Sequence, residues 1–195
     1  MLSAHIISIG NELLIGDTVN TNASWISRFL TEKGIRVGEV RVIRDGYEEI
    51  RRAIGEALEQ AALVITTGGL GPTRDDITKS AVASLFGTSL VMDEQVLEHN
   101  REQFKNRGLP FIDAIRDQAL IPQGSEVLMN RLGTAPGLWL SRNGSWLAML
   151  PGVPHEMRHL METGVARKIE ECLEGSEVRV VRYLRTAGVP ESILS

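Results

Sequence analysis

Apolar positions in the first half of the chain switch between two periods. Ala4 to Ile9 is short, β-branched and almost wholly apolar, which predicts a buried strand. Ala23, Ile26, Phe29 and Leu30 then recur at helical spacing, with Asn20 to Asn22 offering caps and Gly34 a stop. Ile35 to Ile43 predicts a second strand, Arg44-Asp45-Gly46 a turn, and Tyr47, Ile50, Ile54, Ala57, Leu58 and Ala61 a second helix. Ala62 to Thr66 predicts a third strand, running into a cluster of glycines, and Ile77 to Phe86 returns to helical spacing. Between the first strand and first helix, Gly10 to Gly16 reads as a loop whose apolar residues Leu13, Leu14 and Ile15 tuck inward. Strand and helix alternating in this way predict an α/β fold: right-handed crossovers and a parallel sheet covered on both faces.

After Gly87 the rhythm loosens. Ser89 to Met92 is a short strand, Asp93 caps a helix that carries Val96, Leu97 and Phe104 and stops at Gly108, and Asp113 to Ala119 is a further short helix ahead of Pro122. Leu138-Trp139-Leu140 and Trp146 to Leu150 flank Asn143-Gly144, a strong hairpin signal that gives the sheet an antiparallel edge. A helix follows from about His155 to Leu173, then a strand over Glu177 to Thr186 and a helix start at Pro190-Glu191-Ser192.

Composition narrows the class. The 195 residues suffice for one substantial domain, 43% are hydrophobic and 24% charged, and the net charge of −4 supplies no basic field for nucleic acid. The few clustered cations are Arg179, Arg182 and Arg185. A single cysteine, Cys172, forms no internal disulfide and favours a reducing compartment; with no apolar run of spanning length, a cytoplasmic protein with no membrane partner is expected.

The chemistry concentrates in Thr66-Thr67-Gly68-Gly69-Leu70-Gly71-Pro72-Thr73-Arg74-Asp75-Asp76-Ile77-Thr78. A glycine-rich turn between a strand and a helix N-terminus is where α/β proteins bind phosphate, and the N–H groups here can converge on an anion. It is neither the dinucleotide fingerprint, whose third glycine would fall at Arg74, nor a P-loop, which needs Gly-Lys-Ser/Thr. Asp75 and Asp76 stand where phosphate would sit, so phosphate there calls for a divalent cation between the two charges. The plainer role for Asp76 is to cap the helix through the N–H of Thr78 or Lys79. Lys79 and Arg74 read either as solvated charges or as partners of ligand phosphates.

Two further loops leave or enter strands: Gly133-Thr134-Ala135-Pro136-Gly137, and Leu150-Pro151-Gly152-Val153-Pro154 ahead of a helix. Each is a turn when taken alone; together they form a site if they gather at one end of the sheet. Glu12 and Asp45 follow the first and second strands, which brings them to the same end as Asp75 and Asp76, an acidic cluster fit for one metal ion with one acid left as base. His155-Glu156-Met157-Arg158-His159 matches the zinc-protease pattern H-E-x-x-H, but it starts directly behind Pro154 and lacks the longer extension, so two surface histidines are the preferred reading.

Taken together, Gly10 to Gly16 with Asn20 to Ala23, Thr67 to Thr78, Gly133 to Gly137 and Leu150 to Pro154 with Glu156-Met157 resemble the molybdopterin-binding family that includes MogA, MoaB and the central domain of MoeA, and within it the N-terminal domain of the CinA (competence/damage-inducible) family. The resemblance implies a three-layer α/β/α domain over residues 1–170, with residues 171–195 opening a following segment that is incomplete here. It implies ligand contacts from Gly10, Asn11 and Asn20; from Gly68, Gly69, Leu70, Gly71, Pro72, Thr73, Thr78 and Lys79; from Gly133, Thr134, Ala135, Pro136 and Gly137; and from Pro151, Gly152, Pro154 and Glu156. Asp76 holds the position of the aspartate that acts in adenylyl transfer to molybdopterin, and Leu70 replaces the threonine of the GGTG motif, as in CinA-like members.

What the resemblance implies for activity is metal-dependent cleavage of a nucleotide or pterin pyrophosphate such as ADP-ribose. Asp75 and Asp76 would place Mg²⁺, Mn²⁺ or Co²⁺, and Asp45 or Glu12 would serve as base. The alternatives are molybdopterin adenylyl transfer in molybdenum cofactor synthesis, and a binding module without turnover. A homo-oligomer, dimer or trimer, is expected.

Overall fold

The computed structural model describes residues 2–73 and 76–173. The central sheet has six strands in the order β2-β1-β3-β8-β7-β6. β1 (Ser3–Ile9), β2 (Arg36–Ile43), β3 (Leu63–Thr67) and β8 (Ser145–Leu150) are parallel; β7 (Gly137–Arg142) runs against β8 and against the edge strand β6 (Glu126–Leu128).

Period-two alternation builds two cores from one sheet. On one face Ile7, Val64, Leu138 and Leu147 pack against Ile50 and Ile54 of α3 (Tyr47–Gln60) and Ala81 and Val82 of α4 (Thr78–Phe86). On the other, Ile6, Ile65, Ala148 and Leu150 pack against Ile26 and Leu30 of α2 (Thr21–Glu32) and Met157, Leu160, Val165 and Ile169 near the end of the described chain. This is the expected α/β/α sandwich. The first crossover carries the chain from β1 outward to β2, and the second returns it past β1 to β3. Connections leaving β1 and β3 therefore diverge to opposite faces, which opens a crevice at their carboxyl ends.

The expected elements are present with instructive differences. The hairpin around Asn143 (φ 52°) and Gly144 (φ 86°) forms and gives the sheet its antiparallel edge, which the short β6 extends by one strand beyond β7. β4 (Leu90–Met92) and β5 (Leu120–Pro122) pair in a separate two-stranded sheet, which with α5 (Glu94–Asn106) and α6 (Asp113–Asp117) makes a small lobe around Val96, Leu97 and Ala119. The last helix is α7 (Pro154–Leu160) and α8 (Ala166–Leu173) joined by a π-helical turn, Met161–Val165. Gly10 to Gly16 contains a short helix, α1 (Asn11–Leu14), and of its apolar residues Leu13 is half-buried while Leu14 is exposed and Ile15 is 71% exposed, because a four-residue helix over the sheet rim has no core beneath it. The strand expected over Glu177 to Thr186, the helix start at Pro190, and Arg74 and Asp75 lie outside the described residues. Among those described, no helix is long and apolar enough to cross a membrane.

Candidate functional site

The crevice predicted by the strand order is a cleft of about 680 Å³ at the carboxyl ends of β1, β3 and β8. β1 delivers Gly10, Asn11 and Glu12 to it, the end of β2 delivers Asp45, β3 delivers Gly68 to Thr73 with Asp76, and β8 delivers Pro151 and Gly152. Thr134 and Ala135 reach the same end because β7 is antiparallel, so the loop preceding it starts where its neighbours finish. Glu156, in the first turn of α7, closes the ring.

Main-chain hydrogen bonds fix these loops to one another. Gly68 donates to the Leu150 carbonyl at 3.0 Å, and Gly10 to that of Ile43 at 3.1 Å. Gly68 (φ 108°) and Gly69 (φ 68°) occupy left-handed conformations, and a Cβ at Gly68 would collide with the Ile9 carbonyl oxygen, one at Gly69 with Thr78 Oγ1. Asn22 of α2 spans the strand ends, donating to Thr67 Oγ1 at 3.2 Å and to the Gly152 carbonyl at 2.7 Å.

Asp76 does not cap α4. Its Oδ1 accepts the Gly71 N–H at 2.7 Å, and its Oδ2 accepts the Thr73 N–H at 2.8 Å and the Thr73 hydroxyl. The N-cap position of α4 falls to Ile77, with no side-chain cap. Of the turn's donors, Gly68 and Gly71 are thus committed within the protein, and the N–H groups of Gly69 and Leu70 remain without a partner among the described residues.

Carboxylates dominate the cleft. Glu12, Asp45, Asp76 and Glu156 line it, and no Lys, Arg or His does so among the described residues. Three of the four lie directly over a glycine: Glu12 over Gly10, Asp76 over Gly71 and Glu156 over Gly133, so that a Cβ at any of these positions would meet a carboxylate. Asp45 Oδ2 accepts the Asn11 N–H at 2.9 Å. Glu156 Oε2 accepts from Asn130 Nδ2 at 2.6 Å. Asn130 is 1% exposed and fully used, for it also donates to the Ala135 carbonyl at 2.9 Å and accepts the Leu132 and Gly133 N–H groups at 3.0 and 3.1 Å.

Other expected ligand residues lie behind or beside the cleft. Asn20 caps α2, accepting the Ala23 N–H at 3.1 Å and pairing with Ser8; with Pro154 it lines a neighbouring hollow. Thr78 is fully buried, and Pro136 and Gly137 are buried at the start of β7. Gly133 supports Glu156 from below. Lys79 is neither a solvated charge nor a lining residue of this cleft: it is 7% exposed, and its Nζ donates to the Asp117 and Gln118 carbonyls, each at 3.1 Å. Burial pushes its ammonium down from 10.5 to about 8, against the opposing pull of the Asp117 and Asp76 carboxylates. Sequence reasoning missed Asn130, whose partner Glu156 lies 26 residues on, and Gln118, and it gave Asn22 no site role although Asn22 stands in the Asn20 to Ala23 motif.

Among the described residues, no three Asp, Glu, His or Cys side chains come together to hold a metal ion by themselves. A divalent cation fits as an ion shared with ligand phosphate, the usual situation for Mg²⁺, which takes one or two carboxylates and completes its shell from phosphate and water. Asp76 retains one acceptor position on Oδ1 for that purpose. Asp75 lies outside the described residues.

A doubly covered, mainly parallel sheet with a glycine turn and an acidic cleft at its carboxyl end is the architecture of a small-ligand-binding α/β domain. Residues 5–171 match the family described as "Probable molybdopterin binding domain", and the chain belongs to it. It is 41% identical over 198 residues to a CinA-like protein from Gemmatimonas aurantiaca, covering 100% of this chain and 46% of that protein. The chain therefore spans about half the length of the curated relatives it matches. The crystal structure of CinA from Thermoplasma acidophilum is 39% identical and superposes with a TM-score of 0.78 over 85% of this chain and 96% of that one. MoaB from Thermus thermophilus, 18% identical, shares the fold with a TM-score of 0.59 over 92% of this chain and 100% of that one.

Proposed function

We propose that this domain binds a nucleotide or pterin pyrophosphate together with a divalent cation and hydrolyses it, with ADP-ribose as the first substrate to test. The observation that supports this reading is the set of carboxylates that Glu12, Asp76 and Glu156 bring to the cleft, around a turn that still offers the Gly69 and Leu70 N–H groups to an anion. An anionic ligand enters such a site only with compensating positive charge, so the ligand and a cation bind as a pair. When bound, Mg²⁺, Mn²⁺ or Co²⁺ supplies charge neutralisation and polarises the phosphorus.

The chain's own groups supply the rest. Asp76 is held rigid by its three hydrogen bonds and fixes the turn against the ligand. The Glu12 carboxylate has no hydrogen-bond partner among the described residues and is the better base; Asp45 is partly committed to Asn11. Water attacks one phosphorus, its proton passes to Glu12, and the bridging P–O bond breaks to leave two phosphate monoesters. Incubation with ADP-ribose and each cation should yield AMP and ribose 5-phosphate, with turnover abolished by chelator. An Asp76→Asn protein that keeps full rate would sink the assigned role. If ligand binds without product under every cation, the domain is a binding module. Formation of adenylylated pterin from ATP and molybdopterin would favour adenylyl transfer instead.

A further inference from the structure

A second hollow, of about 430 Å³, lies between the edge strand β6 and the last helix, and it shares no lining residue with the acidic cleft. Val127, Leu128 and Leu160 give it an apolar floor. Thr163 and Gly164 of the π-helical turn Met161–Val165 form one side. Gly164 is what lets strand and helix close beneath it, because a Cβ there would press on the Leu128 side chain at 3.3 Å. Such π-helical turns are rare and recur at functional sites.

The charge of this hollow is the reverse of the cleft's. Arg131, His159 and Arg167 line it, and among the described residues no Asp or Glu does, in a chain whose net charge is −4. Both arginines are exposed and His159 is half-buried, so solvent reaches all three. Arg167 also approaches Glu171, its Nε 3.5 Å from the carboxylate, but an exposed pair of that length holds weakly. The Thr163 hydroxyl is used inside the turn, donating to the His159 carbonyl at 2.7 Å. The donors left to a ligand are therefore two guanidinium groups and one imidazole. Guanidinium forks match phosphate oxygens, and two permanent positive charges balance a dianion. The volume suits a small molecule, and the floor suits an apolar body. We propose that this hollow is a second ligand site, which takes a small phosphate monoester with an apolar body and holds it through Arg131, Arg167 and His159 without a metal ion. The inference does not rest on the reaction proposed for the acidic cleft, where phosphate needs a cation to enter.

The test is proton NMR of the full chain titrated with phenyl phosphate in EDTA buffer, which denies the acidic cleft a cation. The 4 histidines give separate ring signals, and His159→Gln identifies the one that matters. Phenyl phosphate should move the His159 signal saturably, with half-saturation at roughly 1 mM. The signal of His155, exposed and one helical turn away, should stay in place. Arg131→Ala and Arg167→Ala, both exposed changes, should each raise the half-saturating concentration about fivefold and leave the melting temperature level. Benzoate, with a single charge, should bind several-fold more weakly, and phenol should not bind. An unmoved His159 signal, an equal movement of His155, benzoate matching phenyl phosphate, or a titration indifferent to both arginine substitutions overturns the site.

Discussion

Asp76 Oδ1 accepts the main-chain N–H of Gly71 at 2.7 Å, so the acid and the glycine of the turn are bonded to each other. Phosphate-binding turns usually leave such N–H groups open to the ligand. Here a carboxylate fills part of that position, and the negative charge the turn would attract is already built into the chain.

Asp76→Asn should therefore damage the turn as well as the chemistry. An amide has only one oxygen for donors that approach both oxygens of the acid, so one N–H of Gly71 or Thr73 would face an NH₂ group. A stability loss of about 1–3 kcal/mol is expected by chemical denaturation. With ADP-ribose as substrate, the rate should fall about a hundredfold.

Substituting alanine at three glycines should give a graded series. At Gly68 the added Cβ meets the fixed carbonyl of Ile9; at Gly69 it meets the movable hydroxyl of Thr78; at Gly87 (φ 65°) it meets nothing within 4 Å. Gly87→Ala should cost about 1 kcal/mol, the strain of the left-handed conformation alone. Gly69→Ala should cost more, and Gly68→Ala the most, on the order of 4 kcal/mol or failure to fold. Urea midpoints for the three proteins check the order.

Asn130→Asp should destabilise in a pH-dependent manner. It removes the donor to Glu156 and the Ala135 carbonyl, and places a second carboxylate 2.6 Å from the first. About 3 kcal/mol should be lost at pH 7, with part regained at acid pH where the two acids share a proton. Stability measured at both pH values, with Asn130→Ala as the uncharged control, separates repulsion from the lost bonds.

Lys79 gives a signature at alkaline pH. Its pKa of about 8 in the folded chain lies below its ordinary 10.5, so the folded state sheds its proton first. The resulting penalty is fully present below pH 8 and is relieved as pH rises toward 10.5, which is a gain in stability of about 3 kcal/mol across that window. The difference in unfolding free energy between wild type and Lys79→Met should shift by that amount in favour of wild type between pH 7.5 and pH 10.5. A flat difference would mean the ammonium is not desolvated.

The parts of this fold that were legible from sequence are those set by local rules. The β1–α2–β2–α3–β3–α4 series follows from period and caps, with Asn20 and Asp93 both capping where expected. The gathering of Glu12, Asp45 and Asp76 follows from strand direction once the sheet is parallel. What sequence could not reach depends on distant pairing. β6 is three residues long and exists because β7 offers an open edge. Asp76 was read against the helix that follows it, but the bonded partners lie in the turn before it. From sequence Lys79 reads either as a solvated charge or as a partner of ligand phosphates, because its burial depends on a lobe some forty residues further on. Leu14 and Ile15 were expected inside by composition alone, yet no apolar surface waits beneath them.

The reversed direction of β7 has a practical consequence. Since β8 ends at the cleft, the Asn143-Gly144 hairpin joining β7 to β8 stands at the opposite end of the sheet. It is a tight surface turn, the kind of place where chains accept insertions. A reporter peptide or fluorescent domain spliced between Asn143 and Gly144 would leave every loop of the cleft untouched. The hairpin is thus a handle by which the domain can be tethered or tracked while its ligand site stays open to solvent.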